Sequence, residues 1–291
     1  MIEETGEIPL NEELVDEAMR QHLTDVLKSV VNFGDFLCMH SSPLPHSELA
    51  KESHALTGVE TWSTAVEAGI AATDHLHYFV RTTLNMRVIA PFASFTLLRS
   101  AISAAALAGW LLEGDSNERL LRTLQLRRLE AVNHITALNR IVNAVREPNE
   151  SNQAKKRRAD SLDRRRQAEA IRAEIDKDAA DLKFPSKAVS SMPRDGELVK
   201  IAARLTPRQP HHDFDPTDEA VMVWQLLSSY AHGQSWAADI SAQVSSIGGR
   251  QHKQWAPDQE FLMLGLYVAG ELMKGAFDRY ITLAGREIRS Q

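Results

Sequence analysis

The sequence predicts an all-α protein, a multi-helix bundle around one apolar helix at about residues 92–112, with a long antiparallel charged helical hairpin. Only 14 glycines and 11 prolines interrupt the 291 residues, so the segments between them are long. Apolar residues in these segments recur at helical spacing, without the alternation typical of strands. With 43% hydrophobic residues, the chain has enough apolar material for a sizeable core. We therefore expect a single helical domain over residues 1–291.

The N-terminal part is predicted to hold two long helices and a connector. Asn11 is a suitable cap for the first helix, whose apolar residues lead to an end near Gly34 or Cys38. Residues 40–57 are rich in proline, serine and histidine, which favours turns with room for one short helix. The second long helix is expected over about 59–88.

The central helix begins at Pro91 and carries a single charged residue, Arg99. A transmembrane span is the competing interpretation. Arg99 would be costly at a bilayer centre, and the uncharged run 100–112 is too short to cross one. We therefore expect a buried core helix. Its small residues let neighbouring helices approach closely: Ser100, Ala101, Ala104, Ala105, Ala108 and Gly109.

A long helical hairpin is expected next. Asp115 or Ser116 caps a fourth helix that runs to about residue 146, and a highly charged fifth helix follows over about 151–182. A Glu-Pro-Asn sequence separates the two helices and breaks the chain. The hairpin, counted as 119–182, is predicted to protrude from the bundle.

The C-terminal part is predicted to begin with a Pro-rich connector over 184–215, which holds a short helix at about 196–205. Asp215 followed by Pro216 is a strong helix start, with aspartate as the cap and proline at the first position.

That helix is expected to bend at Gly233 and to continue to about Ile247, where Gly248-Gly249 ends it. A last long helix is expected over about 258–289.

The charge balance and the motif content exclude several functional classes. A formal net charge of −6 argues against bulk electrostatic attraction to nucleic acid or to an anionic membrane, although a local patch remains possible. No signal peptide is visible at the N-terminus, and the single cysteine cannot form an internal disulfide, so a cytoplasmic location without a membrane partner is expected. No nucleotide, hydrolase or metal motif is present, so no cofactor and no metal are expected.

Arg99 is the starting point for a candidate site, because a permanent cation in an apolar helix must find an anion or hydrogen-bond acceptors. Asp74, in the preceding helix, is a candidate for that anion. Ser103 lies one turn along from Arg99 and is better placed for Asp74 or His77.

A helix interrupted at Gly233 would leave Tyr230, His232 and backbone groups free to line a cavity. In the predicted pocket Arg99 binds an anionic group, Asp74 orients His75 or Arg99, and His232 and Tyr230 supply hydrogen bonds. The predicted ligand-binding residues are Asp74, His75, Arg99, Tyr230 and His232. The alternative is that these residues form a satisfied polar cluster with a purely structural role.

The fifth helix carries the second candidate site. Residues 155–172 contain eight basic and three acidic residues. A run of this kind can bind phosphate groups of nucleic acid, but the interspersed acids favour a solvated helix face as its simpler interpretation. The candidate nucleic-acid-binding residues are Lys155, Lys156, Arg157, Arg158, Arg164, Arg165 and Arg166.

Four short motifs carry a resemblance to a known family: Asp74-His75-Leu76, Thr96-Leu97-Leu98-Arg99, Trp110-Leu111-Leu112 and Leu227-Ser228-Ser229-Tyr230-Ala231-His232-Gly233. They resemble an uncharacterised all-helical protein family found in actinobacteria. That family is distantly similar to the HEPN superfamily, helical bundles that include metal-independent ribonucleases and nucleotide-binding modules. The resemblance implies a fold and a possible RNA or nucleotide ligand. Two departures stand out: the acid that often follows the arginine by one turn is Ser103 here, and no arginine precedes His232 at the ribonuclease spacing.

Three functions therefore remain as expectations. The first is a binding or interaction module with a polar pocket. The second is a HEPN-like metal-independent endoribonuclease, for which Arg127 and His134 match the spacing formally, as do Arg204 and His211 in a Pro-rich loop. The third is a homo-oligomeric scaffold without a ligand, in which the polar cluster only fixes helix register. An enzyme is the less favoured class.

Overall fold

The computed structural model describes residues 17–58, 60–86, 91–144, 151–206, 215–234, 243–247, 250–254 and 259–286. These residues form an all-α protein with one short two-stranded ribbon, which confirms the predicted fold class. The helices are α1 (Glu17–Met39), α2 (Glu48–Glu52), α3 (Thr61–Met86), α4 (Pro91–Leu112), α5 (Ser116–Ala144), α6 (Asn152–Asp181), α7 (Ser186–Val189), α8 (Asp195–Leu205), α9 (Pro216–Ala231) and α10 (Gln259–Leu283), and the strands are β1 (Gln243–Ile247) and β2 (Arg250–Gln254).

The chain divides into two compact units. Unit 1 comprises Met1–Ser41, Ala65–Trp110 and Asp195–Arg279, and it contains α1, α8, α9 and most of α3, α4 and α10. Unit 2 comprises Ser42–Thr64, Leu111–Arg194 and Tyr280–Gln291, and it contains α2, α5, α6 and α7.

Helix α4 is the core helix of unit 1, as its composition predicts. Leu98 and Ile102 are fully buried. At Gly109, an added Cβ would lie 3.6 Å from the Cβ of Ala202 in α8 and 3.9 Å from that of Ala276 in α10, which are ordinary van der Waals distances, so both helices pack against this part of α4 through small residues. Among the described residues, α4 is the one helix long and apolar enough to cross a membrane, and 56% of its apolar window is buried inside the protein, as in a core helix.

The predicted start of α9 is confirmed. The Oδ1 atom of Asp215 accepts hydrogen bonds from the backbone N–H groups of Thr217 at 2.8 Å and Asp218 at 3.3 Å. These two bonds lower the pKa of the Asp215 carboxyl, because they stabilise its charged form. Pro216 occupies the first helical position, where its missing N–H costs nothing.

Helices α5 and α6 pack side by side in unit 2. The Nε atom of Arg128 lies 2.9 Å from Oδ1 of Asp176, and Nη1 of Arg165 lies 3.2 Å from Oδ1 of Asn139. The contact on α5 moves from residue 128 to residue 139, while its partner on α6 moves from 176 back to 165, so the two helices are antiparallel. The same register sets Ala144, the last described residue of α5, opposite about residue 160. The residues of α6 before 160 lie beyond Ala144, the last residue of α5 that the structure describes.

The expected continuation of α9 to Ile247 is wrong. The helix ends at Ala231, because Gly233 adopts a left-handed conformation with φ of 65° and its N–H donates to Tyr230. Residues 243–247 form β1, which pairs antiparallel with β2 from Ile247 opposite Arg250. A Gly-Gly pair that ends a helix in one context is also a favoured two-residue hairpin connection in another.

The last helix is shorter than predicted. It ends at Leu283, not near residue 289. Gly285 takes φ of 71°. Its backbone N–H donates to the carbonyl of Thr282, and the backbone N–H of Arg286 donates to the carbonyl of Ile281. This pairing satisfies the last carbonyl groups of the helix and redirects the chain.

Candidate functional site

Arg99 lies at the centre of a polar cluster in unit 1. Its Nε atom donates a hydrogen bond of 3.0 Å to Oγ of Ser228 in α9, and its Nη2 atom lies 3.7 Å from Oδ2 of Asp195, the first residue of α8. The guanidinium carbon lies 5.9 Å from the ring centroid of Trp224, whose Nε1 donates to Oγ of Ser103 at 2.9 Å. The cation thus has a hydroxyl, an acid and an aromatic face around it.

Solvent still reaches this cation. The side chain of Arg99 is 26% exposed, and that of Asp195 is 56% exposed. At 3.7 Å across a partly solvated surface, the pair contributes little to stability. An anion that approaches Arg99 competes with one loosely held carboxylate, so anion binding at this position is chemically feasible.

The acid that the structure places beside Arg99 is Asp195 and not Asp74. Asp74 is exposed and His75 is half-buried on α3, and neither side chain makes a hydrogen bond or an ion pair within the described chain. Ser103 accepts its hydrogen bond from Trp224, where the sequence pointed to Asp74 or His77.

Tyr230 and His232 take different environments although they lie two residues apart. Tyr230 is 3% exposed and stacks on Phe95, with ring centroids 4.2 Å apart and planes inclined by 21°. His232 is exposed and forms the C-cap of α9. The helix end at Gly233 therefore leaves the tyrosine in the core and the imidazole in solvent. Ligand binding by these five residues stays a prediction.

The second candidate is the N-terminal half of α6, residues 152–166, which we call the basic segment. It contains seven basic and two acidic residues. Six of the seven cations are exposed, and Arg165 is half-buried beside Asn139.

Intrachain partners neutralise only part of this charge. Arg166 pairs with Asp163 at 3.2 Å and Arg165 with Glu169 at 3.4 Å. The side chains of four cations make no hydrogen bond or ion pair with any other residue that the structure describes: Lys155, Lys156, Arg157 and Arg164. A solvated helix face typically carries acids at helical spacing that pair with its bases. Asp160 lies three or four residues from Lys156, Arg157 and Arg164, but it forms no ion pair with any of them.

The charge of α6 also runs against its dipole. The C-terminal half, residues 167–181, has five acidic and two basic residues, while the first turn has no acid. A helix is stabilised by acids at its N-terminus and bases at its C-terminus, and α6 has the reverse order. Its N-terminal end therefore combines the partial positive charge of the helix with unpaired cations, which makes a strongly positive surface.

Sequence reasoning missed a buried ion pair in unit 2. The side chain of Arg119 is 1% exposed and that of Glu52 is 2% exposed, and two nitrogens of Arg119 donate to Oε1 of Glu52. Arg119 also reaches Oε2 of Glu48 at 2.9 Å and the carbonyl of Gly114 at 2.5 Å. Burial opposes the charge of Arg119, but these hydrogen bonds and the attraction of the two glutamates raise its pKa. The one available signal was a pair of acids four residues apart.

The formal ribonuclease match does not form a compact constellation. Arg127 pairs with Glu130 at 3.4 Å, and His134 is exposed. Both lie on α5 seven residues apart, about 10 Å along the helix axis. The second match, at Arg204 and His211, extends outside the described residues. Among those described, no cluster of three metal-ligating side chains occurs.

Comparison with protein-family models, with curated proteins and with solved structures finds no match for this chain. The resemblance to an actinobacterial family and to HEPN-type bundles therefore stays a prediction.

Proposed function

We propose that this chain is a nucleic-acid-binding module and that the basic segment of α6 is its binding surface. The observation that carries the proposal is the set of four exposed cations in the N-terminal half of α6 whose side chains have no partner among the described residues. Each such cation can release a condensed counterion by contacting a backbone phosphate, which is the main source of sequence-independent affinity.

The net charge of the chain does not oppose this proposal. The basic segment and residues 133–144 of α5 together hold eight basic and two acidic residues, whereas the whole chain is at −6. Because charges farther apart than a Debye length of about 8–10 Å are screened, a phosphate at the basic segment experiences mainly the local positive charge.

The test is binding of labelled RNA and DNA oligonucleotides, measured by fluorescence anisotropy at several salt concentrations. The test variant replaces Lys155, Lys156, Arg157 and Arg164 with glutamine. The control variant replaces four exposed lysines elsewhere with glutamine, at positions 28, 51, 187 and 274, and changes the net charge equally.

The expected result is a loss of affinity on the order of a hundredfold in the test variant, with a salt slope reduced by about three to four, and little change in the control. No binding by the unmodified chain, or equal losses in both variants, would contradict the proposal.

The other two expectations have their own measurements. Ribonuclease activity would shorten the labelled RNA during incubation with a chelator, and native mass spectrometry would report a homo-oligomer or a retained small molecule. Both remain predictions, as does the cytoplasmic location.

A further inference from the structure

We infer that the basic segment binds duplex DNA, with the first turns of α6 lying in the major groove and contacting the phosphates on its two sides. This inference rests on the proposed function and specifies its ligand class.

Aromatic content argues against single strands as the target. Proteins that hold single-stranded nucleic acid stack the bases on aromatic side chains. The sequence has no phenylalanine, tyrosine or tryptophan between Trp110 and Phe184, so the basic segment has none of the large aromatic rings on which bases stack most strongly. A duplex hides its bases and presents mainly phosphates, which is what a surface of lysine and arginine can contact.

Helix geometry favours the B-form groove. An α-helix with its side chains is about 10–12 Å across, and the major groove of B-DNA is about 12 Å wide, whereas that of an RNA duplex is deep and narrow. The register of α5 and α6 leaves the residues of α6 before 160 beyond the described end of α5. Residues 155–160 of this part of α6 are all exposed, as contact with a groove requires.

The positions of the cations fit two groove walls. At 100° per residue, Lys155, Ala159 and Arg166 lie along one line of α6, away from the buried residue Ala168. Lys156 lies on one side of this line and Arg158 lies on the other. Arg157 and Arg164 lie on the opposite side of the helix, so in this orientation they add to the positive field without lining the groove. Ala159 has a small side chain, which permits close approach to the groove floor, and cations on both sides reach both phosphate strands.

The experiment compares three nucleic acids that share one base sequence. The full chain is titrated into a labelled DNA duplex of about 20 base pairs, two helical turns, into one of its single strands and into the matching RNA duplex. The DNA duplex is expected to bind at least tenfold more tightly than either alternative. A scrambled duplex of equal composition is expected to bind within threefold, because phosphate contacts carry no sequence information.

Two matched variants place the interface on α6. Ala159→Glu puts a carboxylate on the groove-facing line, and Ala170→Glu puts one on the same side of the helix about 16 Å farther on. Both positions are exposed, so both variants should fold. Ala159→Glu is expected to weaken duplex binding about tenfold and Ala170→Glu less than threefold.

The outcomes separate the two proposals. If the unmodified chain binds no oligonucleotide, the proposed function itself fails. If it binds the single strand or the RNA duplex as tightly as the DNA duplex, or if both glutamate variants bind alike, only the groove inference fails.

Discussion

The two ends of the α5–α6 pair use arginine and lysine in opposite ways. At the end near α2, Arg119 is buried between two glutamates, and Arg128 bridges to Asp176 across the helices. At the other end, Lys155, Lys156, Arg157 and Arg164 have no intrachain partner among the described residues. A cation with a fixed acid stabilises the fold, and a cation without one is available to an external anion. The comparison predicts that substitutions at the first end change stability and that those at the second change binding.

The largest effect is expected for Glu52→Ala. This change leaves the guanidinium of Arg119 buried without its main acceptor, which costs about 3–5 kcal/mol of unfolding free energy. Urea denaturation followed by far-ultraviolet circular dichroism measures it. The matched control is Glu48→Ala, which removes an acid that is 63% exposed and should cost less than about 1 kcal/mol. Equal costs for the two variants would show that the buried pair has no special role.

A smaller effect is expected for Asp178→Ala. The Asp178 carboxylate is buried at the same end of α6 and accepts hydrogen bonds from the backbone N–H and the hydroxyl of Thr57, at 2.7 Å and 2.8 Å. Losing it leaves that N–H without its acceptor and costs about 1–3 kcal/mol. Asp181→Ala is the control, since Asp181 is exposed in the same last turn and has the same unfavourable relation to the helix dipole. The contrast fails if Asp181→Ala is as destabilising in the same urea titration.

The smallest effect has the opposite sign. Lys155→Glu puts an acid near the N-terminus of α6, three residues before Arg158, and should raise the unfolding free energy by about 0.3–0.5 kcal/mol at low salt. The same denaturation measurement in high salt should show the gain disappear. A stability loss at low salt would mean that Lys155 has a structural role, contrary to its lack of partners.

Prediction from sequence succeeded where the signal is local. The start of α9 follows from Asp215 and Pro216, since the capping atoms lie within three residues of each other. The core position of α4 follows from its composition. The ends at Ala231 and Leu283 were missed, because a glycine in a helical pattern specifies neither a bend nor an end until the following hydrogen bonds are known.

Prediction from sequence was weakest where charges meet across the chain. Arg99 was correctly expected to need polar partners. The acid beside it, however, is Asp195, 96 residues away in the sequence, and not Asp74 in the preceding helix. The buried contact between Glu52 and Arg119 was not anticipated, because the two residues are 67 positions apart in the sequence. Periodicity orients a side chain relative to its own helix and says nothing about which distant residue faces it.

The sequence by itself determined the helical class, the central apolar helix, the cap of α9 and the concentration of cations in residues 152–166, because each depends on neighbours along the chain. Only the tertiary structure decided which cations are neutralised and which remain available. The physical reason is that an ion pair depends on distance in space, and packing brings Glu52 to Arg119, while no acid of the described fold forms an ion pair with Lys155, Lys156, Arg157 or Arg164.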